Sequence, residues 1–269
     1  MDVSFNPIKY NNYLKTNQNV CFKGAQNNNL KDVDDDIFFV NMNAYGTNRI
    51  WAAKMNVLMH RLSDMVSQNE DFESILMEAE DGINEINGFT YGLKRTQGDF
   101  FCIQEGRRGE EYRKKYEDII SNAPNQVFSP KSNEEYKDAI TCKIAENKQT
   151  GFEGIKVVYG FEPFNRSSNL ELAALAYDKL KSIENPTLED INKCCATINW
   201  LIVQECPYCK GNDSLASVLT KAIYHAYNIQ PQALKTGKSL DFEAFYSNLD
   251  DYIKNYPDLF KERPDFKVK

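Results

Sequence analysis

The residues of this chain whose types and spacing could do chemistry are gathered in Cys206-Pro207-Tyr208-Cys209-Lys210-Gly211-Asn212-Asp213-Ser214. They form a polar break between two apolar, helix-patterned stretches. A Cys-x-x-Cys pair is a dithiol. With its first sulfur at a helix N-terminus, the helix dipole lowers the thiol pKa and the pair can carry electrons. The same nine residues hold a second chemistry. Gly211 and Asn212 tolerate left-handed backbone, and a glycine turn that opens a helix presents N–H groups to phosphate. Lys210 adds a positive charge beside that turn, and Asp213 or Ser214 can cap the helix that follows.

Other candidates are weaker. Cys194 and Cys195 complete a four-cysteine group with Cys206 and Cys209, but adjacent helical residues point about 100° apart. That spacing is poor for the paired knuckles of a structural zinc site, so no metal site is expected and buried thiols are the default. The seven cysteines are an odd number in a long chain, which favours free thiols and a reducing compartment. Cys206 as a nucleophile would need a base. His225 lies about five helical turns beyond it, too far for a direct pair on a straight helix. His60 is the chain's other histidine. Arg49, at the start of a helix, and Arg107 and Arg108, at a strand-to-helix turn, are accessory candidates for anion contacts.

The elements that must position these groups read as mainly helical. Residues 1–36 are polar and Asn-rich with no clear period, and form a first segment. Residues 37–130 form an N-terminal helical region with a short β-hairpin. In it, Thr47 or Asn48 caps an amphipathic helix through Trp51, Met55, Leu58, Met59 and Leu62. Phe72 to Ile83 continues helically, and Phe89–Leu93 and Phe100–Ile103 read as two strands around Gln97-Gly98. Residues 121–136 read as a loop and the best boundary. Residues 131–269 form a helical core and C-terminal helix. Residues 135–147 read as helix, residues 154–160 as a strand between glycines, and residues 170–183 as helix. Thr187 and Asp190 form a capping box for a helix running to Ile202. A further helix runs from Leu215 to Ala226, and a last one from Phe242 to Tyr256.

Composition sets outer limits. The net charge of −7 argues against a broad nucleic-acid-binding face. No apolar run approaches the roughly 20 residues of a membrane helix. Met1–Asn6 lacks a basic segment and an apolar run, so no secretory leader is expected. That places the chain in a cytoplasm, or among proteins exported without a cleavable signal into a host cell.

Taken in context, the helix–loop–helix around residues 197–229 resembles the core of Fic-type nucleotidyl transferases, whose loop reads His-Pro-Phe-x-Asp/Glu-Gly-Asn-Gly/Lys-Arg. Pro207, Tyr208, Gly211 and Asn212 match in register. The resemblance covers about residues 150–230. It implies a Fic-like helical core with a short hairpin flap and an N-terminal α/β-hairpin elaboration. It also implies a phosphate or nucleotide site at Lys210, Gly211, Asn212, Asp213 and Ser214, and a target-binding flap at Val157, Val158 and Tyr159. Cys206 stands at the family's His position, Lys210 at its Mg²⁺-holding acid and Ser214 at its Arg. Losing metal and Arg removes the main stabilisation of phosphoryl transfer. Ordinary AMP transfer and bound Mg²⁺ are therefore not expected. What remains is a diverged effector or toxin-like protein that modifies or binds a protein target, with a nucleotide or phosphate as the conceivable ligand. The alternatives are a non-catalytic binding pseudoenzyme, and a Cys206-dependent enzyme or Cys206/Cys209 oxidoreductase. The oxidoreductase reading resembles glutaredoxins only in its Cys-Pro-Tyr-Cys. The 60 residues after Cys209 read as helices, not as the remainder of that α/β fold.

Overall fold

The computed structural model of the chain describes residues 49–88, 93–95, 100–103, 110–147, 154–160, 168–235 and 237–267. Eight α-helices lie among the described residues. They are α1 (Arg49–Ser67), α2 (Phe72–Asn87), α3 (Glu110–Ser121), α4 (Ser168–Lys181), α5 (Leu188–Glu205), α6 (Asn212–Ala226), α7 (Leu240–Tyr246) and α8 (Leu249–Asn255). Four short strands accompany them: β1 (Phe100–Ile103), β2 (Val127–Phe128), β3 (Lys143–Asn147) and β4 (Gly154–Val158). No described helix is long and apolar enough to cross a membrane.

The core is built around α5. Its start is fixed by the capping box: Asp190 N donates to Thr187 Oγ1 at 3.2 Å and Thr187 N donates to Asp190 Oδ2 at 2.9 Å. From Cys194 to Glu205 every residue of α5 is buried, so this helix is enclosed all round rather than on one face. Its buried polar groups must therefore find protein partners. Gln204 bridges two elements, donating from Nε2 to Ala244 O at 2.6 Å and accepting from Cys142 N at 3.0 Å. Glu205 accepts from Asn169 N at 3.0 Å, and Trp200 Nε1 donates to Ser247 O at 2.8 Å. α6 packs on α5 and on α1 and α2, whose apolar stripes (Met55, Leu58, Met59 and Leu62; Ile75, Ala79 and Ile83) face inward. Asp71 caps α2 by accepting from Ser74 N at 2.8 Å. The caps expected at Thr47 and Asn48 lie outside the described residues.

The strands form one antiparallel sheet in the order β1-β4-β3-β2. Residues 135–147, expected as helix, are instead a single turn at Glu134–Tyr136 followed by β3. Cys142 and Ile144 point inward while Lys143 is exposed, a two-residue alternation that a helix cannot satisfy. The ends of this stretch are tied down from elsewhere. Asn169 accepts from Ile140 N and donates to Ile140 O, both at 2.8 Å. Residues 121–136, expected as loop, contain β2 and two short turns. β1 and β2 precede residue 130 and β3 and β4 follow it, so the boundary expected there falls inside one sheet. β1 pairs with β4, and of the strand expected at Phe89–Leu93 all but Leu93 lies outside the described residues.

Candidate functional site

The loop singled out by its residue types joins the two most enclosed helices. α5 stops because Cys206 takes a left-handed backbone (φ 50, ψ 58), with its N–H donating to Ile202 O at 3.0 Å. α6 starts after Gly211, also left-handed at φ 85, a conformation glycine adopts without strain. Between them Asn212 folds back over the turn. It accepts from Tyr208 N at 3.1 Å and donates to Tyr208 O at 2.9 Å. Tyr208 is fully buried and its hydroxyl donates to Glu80 of α2. Burial pushes the Glu80 carboxyl up, against the lowering effect of that hydroxyl. Cys209 and Lys210 are exposed, and Gly211, Asn212, Asp213 and Ser214 are half-buried.

A second segment of the chain covers this loop. Lys94 forms an antiparallel bridge with Tyr208. Cys209 N donates to Leu93 O at 2.9 Å, and Arg95 N donates to Pro207 O at 2.7 Å. The Arg95 guanidinium then takes two more loop carbonyls, Cys206 O from Nε and Tyr208 O from Nη2, each at 3.1 Å. Its carbon lies 4.6 Å from the centre of the Tyr159 ring. A cation thus already sits on the loop's carbonyl face. Sequence reasoning missed Arg95: nothing in the local pattern marks a residue whose partners lie more than a hundred positions away.

Cys206 does not have the surroundings of a nucleophile. It is 4 % exposed and its Sγ is 3.1 Å from Val203 O. Burial lifts its thiol well above the usual thiol range, and the nearby Arg95 charge only partly offsets this. It sits at the C-terminal end of α5, where the dipole disfavours a thiolate, and not at a helix N-terminus as the dithiol reading requires. Cys206 and Cys209 are both free, the first buried and the second exposed. Cys194 and Cys195 are also buried and free. They point to different neighbours, Ala176 O at 3.6 Å and Thr220 O at 3.5 Å. Among the described residues no group of three or more His, Cys, Asp or Glu is placed to hold a metal.

The flap expected at Val157, Val158 and Tyr159 is corrected by the sheet. Val157 is fully buried, and Val157 and Val158 belong to β4, an inner strand. On one side Val157 and Val158 face Phe101 and Phe100, and on the other Ile144 and Lys143. An added peptide strand has no edge to pair with there. Arg49 opens α1, but its side chain is outside the described residues, as are Arg107 and Arg108.

One buried group went unnoticed in the sequence. Lys221 of α6 is 2 % exposed and donates to Ser217 Oγ at 2.9 Å. Burial pulls its ammonium pKa down to about 8, with Asp213 acting in the opposite direction. The available signal was a lone lysine inside the apolar run Val218-Leu219-Thr220-Lys221-Ala222-Ile223. The two histidines meet: His60 of α1 and His225 of α6 have ring centres 4.6 Å apart. No protein-family model matches the chain, and no curated protein matches it.

Proposed function

We propose that this chain is a diverged protein of the Fic-like helical class, an effector or toxin-like protein that binds a target protein and has lost nucleotide transfer. The observation that carries this reading is the state of the α5–α6 loop. Its turn and flanking helices fit the resemblance, while its carbonyls are taken by Arg95 and Cys206, at the family's base position, is buried as a neutral thiol. The positions that would supply base, metal-holding acid and phosphate-binding Arg hold Cys206, Lys210 and Ser214. Lys210 would repel Mg²⁺ rather than bind it. The pairing of β4 on both sides by the chain itself supports the same conclusion, because a target would have to be recognised somewhere other than that strand. The odd number of cysteines supports a reducing compartment, the cytoplasm of its own cell or of a host, as its site of action.

The test is thermal unfolding with ATP, GTP, UDP-sugars and NAD, each with and without Mg²⁺. A transfer assay with nucleotide labelled on the α-phosphate would be run alongside. No shift in Tm and no label on protein are expected. A Mg²⁺-dependent rise in Tm with any one nucleotide, or label on a target lost in Gly211→Val, would defeat the proposal.

A further inference from the structure

His60 and His225 are the chain's two histidines, and the fold brings them from α1 and α6 to a ring-centre separation of 4.6 Å, with the planes 89° apart. Ser63, one turn after His60 and only 2 % exposed, places its Oγ 2.8 Å from His225 Nδ1. Assigning the Nδ1 proton to that hydroxyl leaves His225 Nε2 as the basic nitrogen. An imidazole anchored at one nitrogen by an oxygen, with the other nitrogen free, is the usual arrangement of a metal-binding histidine.

We propose that His60 and His225 form a two-imidazole site for a divalent transition-metal ion of the zinc, nickel or copper class, which clips α1 to α6. The ring separation fits. A metal at about 2.1 Å from an imidazole nitrogen lies about 3.2 Å from the ring centre, so two rings at a ligand angle of about 90–110° have centres about 4.5–5.2 Å apart. Imidazole donors select this class over Mg²⁺ and Ca²⁺, which require oxygen ligands. The charged neighbours divide. Asp64 lies four residues after His60, on the same face of α1, and favours a cation, whereas Lys267 opposes one. Two protein ligands leave the remaining positions to water, which makes the site weak and exchangeable rather than structural.

Binding to the folded form alone raises stability through mass action. The experiment uses the full chain without an affinity tag, stripped of metal and carrying Cys209→Ser so that the thiol exposed among the described residues cannot compete. ZnCl₂, NiCl₂ and MgCl₂ are titrated while thermal unfolding and binding heat are followed. Zn²⁺ or Ni²⁺ is expected to raise Tm at one equivalent and Mg²⁺ to leave it unchanged. His60→Ala, an exposed position, is expected to weaken metal binding at least tenfold while keeping the metal-free Tm. No rise in Tm with the histidines intact, or a rise that survives His60→Ala, would overturn the site. Neither outcome depends on the nucleotide experiment above.

Discussion

Lys221 allows the energetics of this fold to be tested with a single substitution and a pH series. Its ammonium is buried between Ser217 Oγ and the Phe260 ring, whose centre is 5.7 Å from Nζ. Burial moves its pKa from an ordinary 10.5 to about 8. A drop of that size corresponds to about 3 kcal/mol of cost for keeping the charged form in the fold. The direction follows from linkage. Between about pH 8 and pH 10 the unfolded chain holds this proton and the folded chain does not, so stability from this group rises with pH. Below pH 8 both states are protonated and the cost is fully present. Lys221→Met removes the charge and keeps the volume. At pH 7 it should gain most of that 3 kcal/mol and lose about 1–2 kcal/mol for the hydrogen bond to Ser217 and the ammonium's other contacts, a net stabilisation of about 1–2 kcal/mol. At pH 10 the gain should be nearly gone. The assay is urea unfolding of both proteins at pH 7, 8, 9 and 10. Tyrosine and cysteine titration affects both equally, so the gap between the two proteins isolates Lys221. That gap should change by about 2–3 kcal/mol across the range. A gap independent of pH would refute a buried, proton-shedding lysine.

Three further outcomes bear on the site and the fold. In a thiol-labelling time course on the native protein, Cys209→Ser should remove one fast-reacting equivalent and Cys206→Ser none, since only Cys209 of the pair is exposed; loss of a fast equivalent in Cys206→Ser would revive the nucleophile. Tyr208→Phe removes the hydroxyl that Glu80 accepts from in a half-buried setting and should cost about 1–3 kcal/mol in urea unfolding, with Glu80→Gln in the same background adding little further loss. At Gly160 an added Cβ would lie 2.7 Å from Thr141 O, a backbone atom that cannot rotate away, so Gly160→Ala should lower stability by about 1–3 kcal/mol or more.

How much of this was legible in the sequence depends on where the determinants lie along the chain. α5 was readable because what starts it is local, the Thr187–Asp190 box, and its apolar residues recur at helical spacing; its burial on all sides comes from distant elements. α1 and α6 were readable from their stripes. β3 was not. Lys143-Ile144-Ala145-Glu146-Asn147 carries helix-compatible residues, and it is a strand because β4 pairs along its whole length and Gln204 holds Cys142 N beside it. The loop shows the same division. Its shape was visible in Gly211 and Asn212, which allow the turn. Its chemistry was not, because the decisive neighbours are Arg95, Glu80 and Tyr159, all distant in sequence. Those neighbours make the loop a structural joint. Pro207, Tyr208 and Asn212 each make a contact that fixes the loop: a carbonyl for Arg95 N, a hydroxyl reaching Glu80 of α2, an amide closing the turn between α5 and α6. On the function proposed above, a phosphate loop turned structural joint needs these residues for the fold and does not need a base, an acid or an Arg at positions 206, 210 and 214.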